Sequence, residues 1–522
     1  MSKKVLAYDV TLRDGTQGEG ISFSVKDKIK VSHKIDELGV EYIEGGWPGS
    51  NERDEGFFRE AKKQRYVNSK IVAFGSTRRA KSTCDDDLNI QALLQAETPA
   101  VTIVGKTWDF HVSEALKITN EENLQLISDS IEYLSNRTEE VFFDAEHFFD
   151  GFKANKEFTL NCIDLAVESG ANGIILCDTN GGTTPWEIYD IVEEVKQKHK
   201  KIVLGIHTHN DSGLGVANAL AAVRAGANQV QGTINGYGER CGNANLCTII
   251  ANLNLKMGIK CITDKNLKRL YEVSNYISEL ANLGHDSKSP FIGRSAFAHK
   301  GGIHVNAIVK NNLTYEHINP EEVGNSRRIL ISDLAGKSNI LYKLKELGII
   351  KGVSDDNISE ILSELKKLEN VGYEFEGVDA SFELLVKTIS GQYKPKIELI
   401  ETEINTRQIV PSNESSAKVV LKIDDETIEN TASGSGPVNA LDLALRGALT
   451  DKYSFLNEVT LTDYRVRVVG SNKGTESLVR VIIESSDKDS SWSTIGVSSD
   501  IVDASWRALI DSIEFKLMKI SS

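Results

Sequence analysis

Side chains able to do acid–base or metal chemistry gather in five short clusters in the first half of the chain. They are Thr11-Leu-Arg-Asp-Gly-Thr-Gln17, Asp144-Ala-Glu146, Cys177-Asp-Thr-Asn-Gly181, His207-Thr-His-Asn-Asp211 and Glu239-Arg-Cys-Gly-Asn243. His207 and His209 are two apart, so on a continuing strand both imidazoles face the same side. Such a pair suits a divalent metal, although two polar residues closing a strand would look the same. Asp14 and Asn243 add a carboxylate and an amide oxygen, completing a mixed N/O set that leaves positions open for a substrate. With no cysteine in the set the site reads as hard, and Mg or Mn is as suitable as Zn. Arg13 is always charged and can face a carboxylate or a developing oxyanion beside the metal, or form a plain ion pair. Glu146 suits a general acid or base, or a partner that orients a ligand. The Thr179 hydroxyl is placed either to meet a substrate carboxylate or to cap a turn.

Something must bring these clusters together, and the strand pattern supplies it. Eight β-branched runs occur at Val5–Thr11, Tyr42–Gly46, Lys70–Gly75, Ala100–Gly105, Val141–Glu146, Gly173–Asp178, Ile202–His207 and Gln229–Ile234. Between them, stretches such as Lys26–Leu38, Glu114–Leu134, Thr159–Ser169 and Pro185–Lys198 carry apolar residues at three- and four-residue spacing. Eight strand-plus-helix units in about 255 residues predict a (β/α)8 TIM barrel, whose reacting groups sit where strands end and βα loops begin. A doubly wound open sheet is the alternative, but no Gly-x-Gly-x-x-Gly follows the first strand.

We read three parts: a catalytic barrel over 1–262, a helical linker over 263–394 and a C-terminal α+β domain over 395–522. In the linker, Asn266–Leu283, Ile340–Leu347 and Asn357–Leu368 read as helices and Ala298-His-Lys-Gly-Gly-Ile-His304 as a loop. After Pro395 strands dominate, with Lys418–Ile423, Arg465–Val469 and Val479–Glu484 the clearest. Strand pairs run into a helix at Val438–Leu449 and again at Ile501–Leu517, suggesting two similar units of about 60 residues. Gly434-Ser-Gly-Pro437 could hold an anion on free amides or simply start a helix.

The 60 Lys+Arg against 75 Asp+Glu leave a net charge of -15, which argues against a nucleic-acid backbone or an anionic membrane as partner. We expect neither a membrane helix nor a signal peptide. Six scattered cysteines without Cys-x-x-Cys read as buried, reduced thiols of a cytoplasmic protein.

Thr11-Leu-Arg-Asp-Gly-Thr-Gln17, His207-Thr-His-Asn-Asp211 and Gly238-Glu-Arg-Cys-Gly-Asn243 together resemble the metal-dependent acyl-CoA condensing enzymes that include 2-isopropylmalate, homocitrate and citramalate synthases. The likeness continues through Gly301-Gly-Ile-His304 and Tyr315–Gly324 into a C-terminal region similar to the family's amino-acid-sensing domain. It implies Asp14, His207, His209 and Asn243 as metal ligands, and Arg13, Gln17 and Thr179 as substrate-binding residues. Arg13, Glu146, His304 and Tyr315 take catalytic roles, although Asp144-Ala-Glu-His-Phe148 departs from the Pro-Glu-Asp pattern common in isopropylmalate synthases. Gly18–Ser22 and Ile43–Asn51 are most similar to the long-form citramalate synthases. The implied reaction condenses acetyl-CoA with pyruvate and hydrolyses the thioester, in isoleucine biosynthesis. A homodimer inhibited by isoleucine is implied with it. The alternatives are a 2-isopropylmalate synthase using 2-oxoisovalerate, and an amino-acid-binding regulatory protein whose barrel has lost activity.

Overall fold

The computed structural model describes residues 4–331, 335–409, 412–469 and 477–521. Eight parallel strands close into a barrel: β1 Leu6–Asp9, β2 Tyr42–Gly46, β3 Lys70–Ser76, β4 Ala100–Lys106, β5 Glu140–Glu146, β6 Gly173–Asp178, β7 Val203–Thr208 and β8 Gln229–Gly232. Closure is set by β1 pairing in parallel with β8, Leu6 opposite Gln229 through Asp9 opposite Gly232. An open sheet is therefore excluded. Short capped helices return the chain between strands. Helix Val25–Leu38 starts in a Ser24/Asp27 capping box and stops at Gly39, which takes the left-handed conformation.

The barrel has two apolar layers. Tyr8, Tyr42, Val72, Phe142, Ile175 and Cys177 fill its interior. The opposite strand faces pack on the helices through residues such as Ile43, Val101, Phe143, Leu176 and Val230. Removing a ring such as Phe142 from this fill costs about 3–5 kcal/mol.

The chain divides into two compact units, Met1–Phe297 with Ile318–Arg327, and Ala298–His317 with Arg328–Ser522. Helices Lys337–Glu346, Asp355–Asn370 and Asp379–Ile389 of the second unit share a core containing Ile340, Leu344, Ile361, Leu365 and Phe382. The Gly-Gly stretch differs from the expected loop. Gly301 caps a helix, Gly302–Lys310, whose Val305 and Ile308 are buried one turn apart, so His304 lies on that helix. The helix expected over Asn266–Leu283 is two, Asp264–Leu267 and Leu270–Leu280.

The C-terminal repeat is present with one more strand per unit than the pattern suggests. Ile397–Ile409, Ser412–Ile423 and Glu426–Gly434 form an antiparallel sheet followed by helix Pro437–Leu449. Thr460–Val469, Leu478–Ser486 and Ser491–Ser498 form another, followed by helix Ile501–Ser521. Both helices bury an alanine- and leucine-rich face in one shared core. No helix of the described residues is long and apolar enough to cross a membrane. Cys84, Cys162, Cys177, Cys247 and Cys261 are buried thiols, whereas Cys241 is exposed because it sits on the loop after β8.

Candidate active site

The loop after β1 is held by a buried carboxylate. Asp9 accepts from the Thr11 amide at 3.0 Å and the Thr11 hydroxyl at 2.7 Å, and the Gly15 amide returns to the Val10 carbonyl. Arg13 and Asp14 stand on that tight turn. β7 ends at Thr208, and His209 continues in a bridge to Asn243, so the loops after β7 and β8 present both residues side by side. Gly242, at φ +84°, makes the turn before Asn243; a Cβ there would meet the Gly236 carbonyl at 2.0 Å.

Asp14 Oδ2 lies 3.2 Å from His207 Nε2 and 3.8 Å from His209 Nε2, and the two Nε2 atoms are 3.2 Å apart. All three side chains are buried. Three electron-rich atoms this close repel one another unless a cation or a proton lies among them. Asn243 Nδ2 is spent on the Tyr237 carbonyl at 3.1 Å, while its buried Oδ1 has no hydrogen-bond partner. An orphaned oxygen on the residue bridged to His209, together with a carboxylate and two imidazoles, fits the donor set of a hard divalent ion.

The electrostatics agree. Burial would raise the Asp14 pKa, but Arg13 and then His207 and His209 outweigh it and hold the carboxyl well below the ordinary range. His209, desolvated and facing His207, is lowered to about 4 and so stays neutral near pH 7. His207 Nδ1 meets Gln231 Oε1 at 2.8 Å, and Gln231 Nε2 reaches toward Asp144 Oδ1 at 3.5 Å. With the amide turned that way, His207 donates from Nδ1 and keeps the Nε2 lone pair for a metal. Desolvation, then the charge of Glu44, raises the Asp144 pKa to about 7.

Arg13 is fixed on three sides. Its Nε pairs with buried Glu44, its Nη1 is 3.5 Å from Asp14 Oδ1, and its guanidinium carbon lies 3.8 Å above the Phe74 ring. Trp47 stands edge-on to the same ring at 5.5 Å and donates its indole N–H to Asn89 at 2.8 Å. Thr179 Oγ1 accepts the His147 amide at 2.9 Å, so its own proton remains available to another acceptor. Arg240, in the left-handed conformation at φ +55°, clamps Asp211 with Nε and Nη2 and reaches the Thr179 carbonyl at 2.8 Å. One guanidinium thereby ties together the loops after β6, β7 and β8.

A cavity of about 230 Å³ at the mouth is lined by Arg13, Asp14, Gln17, Glu146, Thr179, His207 and His209, with Trp47, Phe74 and Val104 as apolar wall. Asn243 opens on a neighbouring cavity of about 430 Å³, together with Tyr237, Cys241 and His285. Glu146 is ion-paired with Lys106. His304 and Tyr315 belong to the second unit, where their ring centroids lie 4.2 Å apart with the planes tilted by 32° and both are exposed. Glu44, Gln231, Phe74 and Arg240 escaped the sequence analysis as individual site residues. For Gln231 the signal was register: it is paired with His207 across β7 and β8.

Comparison with known proteins matches this architecture. Residues 4–277 match the HMGL-like model, 291–372 the homocitrate synthase post-HMGL domain-like model, and 376–517 the LeuA allosteric (dimerisation) domain. Fold and matched segments define an HMGL-like barrel protein carrying a LeuA-type domain. The chain is 54% identical to an (R)-citramalate synthase of Geobacter sulfurreducens, covering 99% of this chain and 98% of that one. It is 50% identical to an (R)-citramalate synthase of Aquifex aeolicus, covering 99% of each. To a 2-isopropylmalate synthase of Methanocaldococcus jannaschii it is 33% identical, covering 99% of this chain and 95% of that one. The chain belongs to the family of citramalate and 2-isopropylmalate synthases.

Proposed function

We propose that the chain is an acyltransferase that condenses acetyl-CoA with pyruvate and hydrolyses the thioester, releasing citramalate and CoA. The observation that carries this is the buried Asp14–His207–His209 cluster beside the free Asn243 oxygen, in a mouth walled by Trp47 and Phe74. High identity to citramalate synthases, against 33% to a 2-isopropylmalate synthase, favours pyruvate over a branched acid.

Asp14, His207, His209 and Asn243 would hold a divalent ion, Mg, Mn or Zn, which when bound polarises a 2-oxo acid carbonyl as a Lewis acid. The other steps fall to this chain's own residues. Arg13, pinned by Glu44 and Phe74, keeps a fixed positive charge where the alkoxide develops. The Thr179 hydroxyl donates to the pyruvate carboxylate, and Gln17 lines the same space. A base drawn from Glu146, His304 and Tyr315 takes a proton from the acetyl methyl group. The resulting carbanion equivalent attacks the keto carbon, the alkoxide is protonated, and water then cleaves the thioester. The names of the relatives support an (R) product.

We further place the active site across the barrel (1–262) and linker (263–394), with the part from 395 to 522 as a dimerisation domain that senses isoleucine in a cytoplasmic homodimer. The match of 376–517 to the LeuA allosteric (dimerisation) domain and the doubled strand-and-helix unit support that assignment. CoA release, measured with acetyl-CoA and a panel of 2-oxo acids with and without a chelator, tests the reading. Pyruvate should exceed 2-oxoisovalerate by about tenfold or more in kcat/KM. Equal values would point to 2-isopropylmalate synthesis, and no release with any acid to a regulatory protein. A chain ending at Lys394 should lose its response to isoleucine.

A further inference from the structure

The second unit contains a cavity of about 290 Å³ that the condensation does not use. It is open to small molecules and has room for roughly ten water-sized volumes. Its wall is apolar over Phe375, Leu384, Leu385, Ile397 and Ile510, from segments that include helices Asp379–Ile389 and Ile501–Ser521. Against this wall stand two carboxyls one helical turn apart, Asp511 and Glu514, and no basic side chain is among the lining residues.

The two carboxyls are not equivalent. Glu514 is fully engaged: it accepts the amides of Lys396 and Ile397 at 2.8 and 2.7 Å and the Tyr393 hydroxyl at 2.5 Å, so it anchors the start of strand Ile397–Ile409. Asp511 accepts one hydroxyl, that of Ser381 at 2.8 Å. Ser381 in turn receives the Ile495 amide at 3.1 Å, which fixes its proton on Asp511. Burial, and then the charge of Glu514, pushes the Asp511 pKa up to about 7, as expected of a carboxyl without a cation. An apolar cavity with a few convergent polar groups is the ordinary form of a small-molecule site.

We propose that this cavity binds a small organic cation, an alkyl- or aralkylammonium whose apolar body lies on the wall and whose ammonium is held by Asp511. The missing counter-charge then arrives with the ligand. The lining also says what is refused. An α-amino acid would bring its carboxylate to a wall that offers two carboxyls and no cation, so isoleucine is excluded here. The site is separate from the effector reading above and does not rest on the condensation.

The test is calorimetry on the full chain at pH 8, with 3-methylbutylammonium, its neutral isostere 3-methylbutan-1-ol, and isoleucine as probes. The ammonium should bind about tenfold more tightly than the alcohol, the usual margin of a charge-assisted contact over a neutral one. Asp511→Asn keeps shape and the Ser381 bond; it should erase that preference while leaving alcohol binding unchanged. Leu385→Trp, which fills the space, should abolish both, with the thermal midpoint reporting that the chain is folded. Isoleucine should not displace the ammonium. Equal binding of ammonium and alcohol, a preference that survives in Asp511→Asn, or no binding of the ammonium at millimolar concentration would each overturn the proposal.

Discussion

The barrel mouth and the C-terminal unit both bury carboxyls, and they settle the charge in different ways. In the mouth, Asp14 faces Arg13 and two imidazoles, and Glu44 is paired with Arg13. Opposite charge holds the Asp14 carboxyl well below the ordinary range, the charged form that a metal would need. In the C-terminal unit, Asp511 is met by one hydroxyl, and Glu514 by two amides and a hydroxyl with only the charge of Lys396 acting on it besides; burial outweighs these and both are raised. Neutral donors satisfy the lone pairs without supplying charge, so these carboxyls hold their protons longer. At Asp14 the mouth presents a charge that Arg13 and two imidazoles answer, whereas at Asp511 no cation of the chain does so.

The largest effect should come from breaking the mouth's own compensation. His207→Ala and Asp14→Ala each remove a proposed metal donor, and each should abolish CoA release and weaken Mn binding followed by calorimetry. Near wild-type turnover in a chelated preparation of either variant would refute the assignment. Gln231→Leu acts one step further out. It frees His207 to adopt the wrong tautomer, and loss of such a partner costs roughly 10–100-fold in metal affinity. Unchanged Mn affinity in that variant would show that the His207–Gln231 bond is packing alone.

A third substitution sharpens the comparison on the apolar side. Trp47 is braced by Asn89, stands against Phe74 and lines the mouth cavity, and the proposed size limit rests on it. Trp47→Ala should lower the preference for pyruvate over 2-oxoisovalerate by about tenfold, since each methylene accommodated is worth about 1–3 kcal/mol. A preference that does not move would place the size limit elsewhere in the mouth.

What could be read from the residues follows from which forces are local. The eight strands were legible because a parallel strand buried on both faces is a continuous apolar run, and turn residues bound it. That Asp14, His207 and His209 would meet was legible because strand ends put distant motifs on one rim. Glu44 and Gln231 were not, because their roles arise from register across neighbouring strands rather than from spacing along their own. Helix Gly302–Lys310 was hidden by its glycines, which suggest a loop until Val305 and Ile308 are seen packed together. Strand Glu426–Gly434 of the first C-terminal unit was missed because it is mostly polar and largely exposed, with no apolar alternation to mark it.

The smallest effect tests the C-terminal side of the comparison through pH. Asp511 titrates near its ordinary value of 3.8 when unfolded and at about 7 when folded. Between those values the folded chain holds a proton the unfolded chain has lost, so stability falls as pH rises, and the loss is complete above about pH 7. Asp511→Asn cannot ionise and should escape this penalty. The two proteins should then diverge progressively from pH 4 upward, the variant melting higher at pH 8. Glu514 is raised too, so the slope should shrink in the variant rather than vanish. Adding 3-methylbutylammonium should narrow the gap at pH 8 by stabilising the unsubstituted protein, because the ligand's charge supplies what the chain leaves unanswered. Parallel melting curves across pH 4 to 8 would mean that Asp511 finds its counter-charge in solvent, and the contrast between the two regions would fall with it.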